Sequence, residues 1–444
     1  MNLFTQLEAR REDPVRVAMI GAGKFGSMFL SQAQRLPGIH IVAIADLDVA
    51  NARSNLELVG WPAERYGARD LDATANGSTF VTDDWRAVVG ADVDVVVECT
   101  GHPGAAVDHI LAAFAAGRHV VNVTVEADAL CGPALAAQAA RAGVVYSMAY
   151  GDQPALVCDL VDWARTCGFA VTAAGRGHKW LPHYRASTPD TIWDHWGLTR
   201  EQAERGRLNP KMFNAFLDGS KPSIECAAIA NSALLDVPSG GLAYPPGSID
   251  DLPQLMRPRA QGGVLERKGL VEVVSSMTAQ GAEIARDIRK GVWVVFEAET
   301  DYQRRCLEEY KVATDPSGRY ASLEKRWHLI GLELPVSIAA VACRGEATGV
   351  ARQWRGDAVA VAKRALGRGE VLDGEGGYTV AGELRPAAAS RAQGLLPLGL
   401  AHDATLLHDV PDGQPLRWSD VRMDEDGAAY RLRREMEGAL AQAA

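Results

Sequence analysis

The stretch "VRVAMIGAGKFGSMFL" near the start of this 444-residue chain constrains its fold more than any other. A mostly apolar run, Val15 to Ile20, meets Gly21-Ala22-Gly23-Lys24-Phe25-Gly26. A helical apolar pattern then continues through Phe29, Leu30 and Leu36. The order reads as strand, tight turn, helix. Gly21 permits the turn, Gly23 lets a pyrophosphate approach the backbone, and Gly26 lets helix and strand pack closely. The free N–H groups and partial positive charge of the helix start, at Lys24 and Phe25, suit that pyrophosphate. A second apolar run, "IHIVAIAD", ends in Asp46, about twenty residues after Gly26, where an acid holds the adenosine ribose hydroxyls. The pattern predicts a dinucleotide-binding fold. The acid favours NAD, while Arg53 close by is available to a 2′-phosphate, so NADP stays open.

The remainder of the first 150 residues alternates as a doubly wound sheet requires. "STFVT", "VDVVVECTG", "HVVNVTVE" and "VVYSM" read as strands, with helical patterns between them. Six strands are expected in the order 3-2-1-4-5-6. Residues 60–78 form a longer excursion before the third strand. Ligands of this fold lie beyond the carboxyl ends of the strands. Thr100, Gly101 and His102 therefore flank the nicotinamide side, with His102 either polarising a substrate or capping the helix that follows. Cys99 reads as a small buried hydrophobe. Glu126, after the fifth strand, is a further candidate, against a plain role as an acid in a helix first turn.

The middle segment, 151–345, holds a basic window in an acidic chain. The net charge is -10, from 46 Lys+Arg against 56 Asp+Glu, yet no acid occurs between Trp163 and Pro189. "YGDQPALVCDLVDWARTCG" reads as a helix, with Asp152 and Pro154 at its start and Gly168 after its end. "FAVTAAG" reads as a strand that delivers Arg176, His178 and Lys179 on a loop freed by Gly175 and Gly177. Lys221 and Glu225, four apart on the helix opened by Pro222, share one face. They read equally as a surface ion pair and as a functional pair. "GLVEVVSSM" and "RKGVWVVFEAET" supply strands of a mixed sheet, an expected substrate and dimerisation domain. "HLIGLELPVSIAAVAC" looks like a packing helix that closes it. Residues 346–444 read as a compact β-rich module with tight glycine turns and no cluster of ligands.

Composition excludes several classes. The acidic balance argues against a nucleic-acid footprint. No apolar run approaches the roughly 20 residues of a membrane span. The N-terminus does not read as a secretory signal. The seven cysteines are scattered with no CxxC, which suggests free thiols in a reducing cytoplasm. No HExxH, tight acidic cluster or Cys/His ligand spacing marks a metal site. Asp190 and Asp194 with His195 come nearest, and they look like a helix start.

The motifs "GAGKFG", "CTGHPG", "YGDQPALVCDLVDWAR", "AAGRGHKWLPHY", "NPKMFNAFLDGSKPSIE", "HLIGLELP" and "LDGEGGYTV" carry a resemblance across nearly the whole chain. The chain resembles Rossmann-type oxidoreductases of homoserine-dehydrogenase-like architecture with a C-terminal SAF-type domain. Among these it is similar to the 1-deoxy-D-xylulose 5-phosphate reductoisomerase-like enzymes and to apionate oxidoisomerase. The resemblance implies α/β architecture: a Rossmann domain over 1–150, an α+β substrate domain over 151–345 and a SAF-like domain over 346–444. It implies NAD- or NADP-linked chemistry on a small polyhydroxylated anion, and by analogy a homodimer. A lysine beside Arg176 has its pKa pushed down by the like charge, so Lys179 is the expected proton carrier. Arg176, His178 and His183 are expected to hold a phosphate or carboxylate, with Glu225 and Lys221 as second choices for catalysis. Reductoisomerases use a divalent metal held by acids, and no residues here are assigned to one. Homoserine dehydrogenase is the alternative activity, and a non-catalytic NAD(P) sensor is a second alternative.

Overall fold

The computed structural model describes residues 2–206 and 208–442. The chain divides into two compact units, one of residues up to 155 with 329–350, the other of 156–328 with 351 onward. Among the described residues, no helix is long and apolar enough to cross a membrane.

The first unit is built on six parallel strands: β1 (Val15–Ile20), β2 (Ile39–Ala45), β3 (Phe80–Thr82), β4 (Val95–Glu98), β5 (His119–Asn122) and β6 (Tyr146–Met148). Their order is β3-β2-β1-β4-β5-β6, the expected doubly wound arrangement. Val15, Val17 and Met19 of β1 and Val95 and Val97 of β4 have no exposed surface. These central strands carry near-continuous apolar runs because helices cover both faces of a parallel sheet. The excursion before β3 forms two short 3₁₀ turns, Ala63–Tyr66 and Asp72–Asn76.

The helix Leu334–Arg344 belongs to this unit rather than to the end of the middle segment. Leu334, Ile338 and Val341 recur at helical spacing and enter the same core as Val17, Phe29 and Val97. Ser337 fixes its depth, accepting the Tyr150 N–H at 2.7 Å.

The second unit holds a four-stranded mixed sheet: β7 (Ala170–His178), β8 (Leu270–Ser275), β9 (Val292–Glu297) and β10 (Tyr320–Lys325), ordered β10-β9-β7-β8. β7 runs parallel to β8 and antiparallel to β9. The C-terminal module adds β11 (Gly356–Ala362), β12 (Val371–Asp373), β13 (Val380–Pro386), β14 (His402–Leu406) and β15 (Val421–Arg422). β11 pairs with β13, and β14 lies between β12 and β15.

The helix Ser220–Ala233 is buried at every position except Lys221. It contacts β7 and β8 and also β11 and β13, so the C-terminal module shares a core with the middle segment. Polar links join them as well. Lys363 Nζ meets the Asp218 carboxylate at 3.0 Å with both side chains buried. Asn214 donates to the Gly376 carbonyl at 2.9 Å, and the Gly382 N–H donates to Ser220 Oγ at 2.8 Å. Deeper in the module, Arg433 grips Asp357 through two hydrogen bonds, 2.9 and 2.7 Å, and lies over the Trp354 ring.

Candidate active site

The glycine turn of the first unit has the shape its sequence requires. Gly21 sits at φ +99°, where a Cβ would lie 2.7 Å from the Cys99 carbonyl oxygen. A Cβ on Gly26 would lie 2.9 Å from the Gly21 carbonyl oxygen, so any side chain would push helix Lys24–Ala33 off β1. Gly23 is different: nothing lies within 4 Å of its Cβ position. Two glycines are thus filled by the protein's own backbone and the third faces open space, the division a pyrophosphate cradle needs. Gly23 is the N-cap of the helix, and Lys24 is exposed in its first turn. Asp46 accepts the Ala22 N–H at 2.7 Å and the Asp48 N–H at 2.9 Å. Asn55 donates to the Ala22 carbonyl at 2.9 Å. The turn is therefore clamped on both sides, and Asp46 sits against it. Arg53 is turned to Tyr66, donating to its carbonyl at 3.1 Å. These residues fit a bound nicotinamide dinucleotide.

At the end of β4 a buried carboxylate organises the next turn. Glu98 accepts from Thr100 Oγ1 at 2.6 Å, from the Thr100 N–H at 3.3 Å, and from Thr124 Oγ1. Its Oε1 also lies 3.3 Å from His109 Nδ1. Thr124 Oγ1 in turn accepts the Gly101 N–H at 3.0 Å. Thr100 and Gly101 are thus held by Glu98, directly and through Thr124. His102 caps the helix Pro103–Ala115, its Nδ1 accepting the Ala105 N–H at 3.2 Å. Glu126 is buried in the first turn of helix Val125–Ala142. Beside it, Asp128 accepts from Tyr146 and from Asn122, each at 2.8 Å. Burial pushes the Asp128 carboxyl up to about 7.

In the second unit, β7 runs further than its sequence suggests. Gly175 and Gly177 lie inside the strand and do not free a loop. A Cβ on Gly175 would overlap the Glu272 carbonyl of β8, and one on Gly177 the Ile288 carbonyl. They are glycine because other backbone presses on them. Alternation then buries Ala174, Arg176 and His178 on one face. Arg176 meets Glu225, and each side chain is only 3% exposed. So the structure pairs Glu225 with Arg176; Lys221 is half-exposed at the start of the same helix. His178 is buried with Nε2 2.6 Å from the Phe216 carbonyl, the geometry of an N–H donating to that oxygen. Burial, then the Arg176 charge, push its pKa down to about 3, so the ring is neutral. Arg176 and His178 therefore stand in the interior, where the first is neutralised and the second uncharged.

Lys179 is where the chain leaves the strand. Its Nζ donates to the His195 carbonyl at 2.8 Å. Burial is the main cause that lowers its pKa; Arg289 lowers it further, and Glu283 opposes them. The direction agrees with the sequence argument, but the cationic neighbour is Arg289 rather than Arg176. His183 is exposed, with its ring 5.8 Å from His195 and 4.7 Å from Tyr184. Arg289 bonds Glu283 at 3.0 Å and Asp287 at 3.1 Å. With Asp287, Lys290, Arg326 and Trp327 it lines a cleft of about 240 Å³. Four cations against two acids give this neighbourhood, Lys179 included, a net positive field for an anion. Asp194 is exposed on the short helix Ile192–Trp196, with Asp190 exposed just before it. Among the described residues, no three His, Cys, Asp or Glu side chains are grouped to hold a metal ion.

Comparison with known proteins gives two family matches, one after the other along the chain. Residues 21–148 match the family model described as homoserine dehydrogenase, NAD binding domain. Residues 151–334 match the one described as oxidoreductase DRL, catalytic domain. The chain is thus similar to an NAD-binding domain over 21–148 and to an oxidoreductase catalytic domain over 151–334.

No curated protein matches the sequence. Solved structures similar to this chain include an oxidoreductase domain protein from Kribbella flavida, 20% identical, covering 39% of this chain and 44% of that one, TM-score 0.29. A 1-deoxy-D-xylulose 5-phosphate reductoisomerase from Zymomonas mobilis in complex with NADPH is 17% identical, covering 49% and 58%, TM-score 0.33. The oxidoreductase yvaA from Bacillus subtilis is 13% identical, covering 77% and 91%, TM-score 0.37. The chain spans less than half the length of the Kribbella protein it matches.

Several residues of the site escape sequence reasoning. Glu98 looks like the polar end of an apolar strand, and only its pairing with Thr100 two residues on hints at a turn-holding role. Arg289, Lys290 and Arg326 lie more than a hundred residues from Lys179, and no spacing rule links them. The strict alternation of glycine with Arg176 and His178 was a period-two signal for a longer β7.

Proposed function

We propose that this chain is an NAD(P)-linked oxidoreductase that couples hydride transfer to proton transfer on a small polyhydroxylated anion, as reductoisomerases and oxidoisomerases do. One observation carries the reading: a half-buried lysine with a lowered pKa opens a loop whose surroundings are rich in cations. Its free amine accepts the proton of a substrate hydroxyl as the C–H bond gives up its hydride. Its ammonium returns that proton in the reverse direction. A nicotinamide dinucleotide, when bound by the first unit, takes or supplies the hydride. Arg289, Lys290 and Arg326 are the anion-binding groups in this proposal, with His183 at the rim. Arg176 and Glu225 set the floor beneath β7 and take no proton.

The homoserine-dehydrogenase type of the NAD-binding match supports homoserine oxidation as a second reading. One screen separates them: NAD(P)H absorbance with tetronates, apionate, 1-deoxy-D-xylulose 5-phosphate and homoserine, each with both cofactors. Turnover of a sugar-derived acid or phosphate with none of homoserine supports the first reading. Turnover of homoserine alone overturns it. Cofactor binding with no turnover of any of them favours a sensor.

A further inference from the structure

The loop that begins at Lys179 ends on a second cavity that the proposed chemistry does not use. About 260 Å³ is lined by Trp180, Pro182 and Arg185 of this loop, by Ser223, by Gly240 and Leu242–Tyr244, and by Gly382–Leu384 of β13. This space is small for a ligand site yet sufficient for a compact metabolite. Trp180 and Tyr244 stack at 4.4 Å with 22° between their planes, which gives the cavity a rigid apolar wall. Tyr244 keeps its place at φ +50°, a costly conformation for a non-glycine residue. The buried Glu272 carboxylate holds it there, accepting the N–H groups of Ala243 at 3.1 Å and Tyr244 at 3.4 Å. None of the described residues hydrogen-bonds the Tyr244 hydroxyl.

Charge at the mouth selects the ligand. Arg185 Nη2 meets Glu383 Oε2 at 3.0 Å, and Arg385 meets the other oxygen of Glu383. Two guanidinium groups thus share one carboxylate and leave one net positive charge. Arg185 is 35% exposed and Glu383 23%, so the pair can open at little cost. An incoming carboxylate replaces Glu383 on the Arg185 fork, where bidentate geometry favours it. The hydroxyl of Tyr244 offers a further donor, and the aromatic pair with Leu242 and Leu384 receives an apolar body.

We propose that this cavity binds a small organic monocarboxylate with a flat apolar body, separately from the substrate of the Lys179 site. Because Lys179 and Arg185 are the two ends of one short loop, occupancy restrains the segment that carries the proposed base.

Benzoate is the probe, and benzamide its uncharged control, with binding to the full chain measured by calorimetry. Benzoate is expected to bind at one site about tenfold or more tighter than benzamide. Arg185→Gln weakens benzoate by about tenfold or more, as loss of a charged partner does. Glu383→Gln acts in the opposite direction: it frees Arg185 and tightens benzoate several-fold. If Arg185→Gln does not fold, the sign of the Glu383→Gln effect decides alone. No benzoate binding at millimolar concentration, equal affinity of wild type and Arg185→Gln, or weaker binding to Glu383→Gln each overturns the proposal. None of these readouts requires turnover, so they stand apart from the assignment of Lys179.

Discussion

The Arg176–Glu225 pair decides whether the basic window is a binding surface or partly a structural core, and Arg176→Met tests it. Both side chains are 3% exposed in the layer between β7 and the helix Ser220–Ala233. Methionine keeps the aliphatic length but strands the Glu225 carboxylate in the interior. Removing one partner of a buried pair costs about 3–5 kcal/mol. Loss of the Arg176 Nε bond to the Gly177 carbonyl, 3.1 Å, lies within that figure. Arg176→Met with Glu225→Met removes both charges and leaves an apolar contact, so most of the loss returns. The expected coupling between the two sites is about 2 kcal/mol or more, the scale of contacting residues. Urea unfolding followed by tryptophan fluorescence reads it. Trp293 donates to the Arg176 carbonyl at 3.1 Å and reports on the same layer. Stability of Arg176→Met within about 1 kcal/mol of wild type, with a large rise in KM, would refute the structural reading and restore Arg176 as an anion clamp.

Three further outcomes follow from the geometry. Glu98→Gln turns one acceptor oxygen into a donor against the Thr100 and Thr124 hydroxyls. It is expected to cost about 1–3 kcal/mol of stability and to raise the Kd for NAD(P)H, read by fluorescence titration. Asp128 is raised to about 7 from an ordinary value near 4, so the native state holds a proton the unfolded chain has lost. Its contribution is full below about pH 4 and falls as pH rises toward 7; Asp128→Asn flattens that fall in unfolding curves at pH 4, 5.5 and 7. The lowered pKa of Lys179 places the rising limb of kcat/KM below the ordinary lysine value of about 10.4, and Lys179→Arg abolishes that limb.

Much of the first unit was legible because its signals are local. Gly21, Gly23 and Gly26 answer to one turn, and Asp46 follows at a spacing one crossover allows. The order β3-β2-β1-β4-β5-β6 follows from alternation and handedness once that turn is recognised. The second unit was legible in its elements but not in their partners. An ion pair across 49 residues, Arg176 with Glu225, leaves no periodic trace, whereas Lys221 four residues before Glu225 does. Local spacing therefore placed Lys221 and Glu225 on one helix face and gave no sign that Arg176 meets Glu225 in the interior. The helix Leu334–Arg344 shows the same limit. Its apolar face is plain in the sequence, but which core receives it depends on a chain return that no local pattern records.

The most direct test is a single measurement on Lys179→Met with the substrate found in the screen: hydride transfer followed at the NAD(P)H absorbance, with and without added methylamine. A proton carrier at this position predicts a fall in kcat of about 100-fold or more with cofactor Kd unchanged, and partial rescue by the amine. Turnover retained at the wild-type rate would contradict the assignment of Lys179 and, with it, the proposed chemistry.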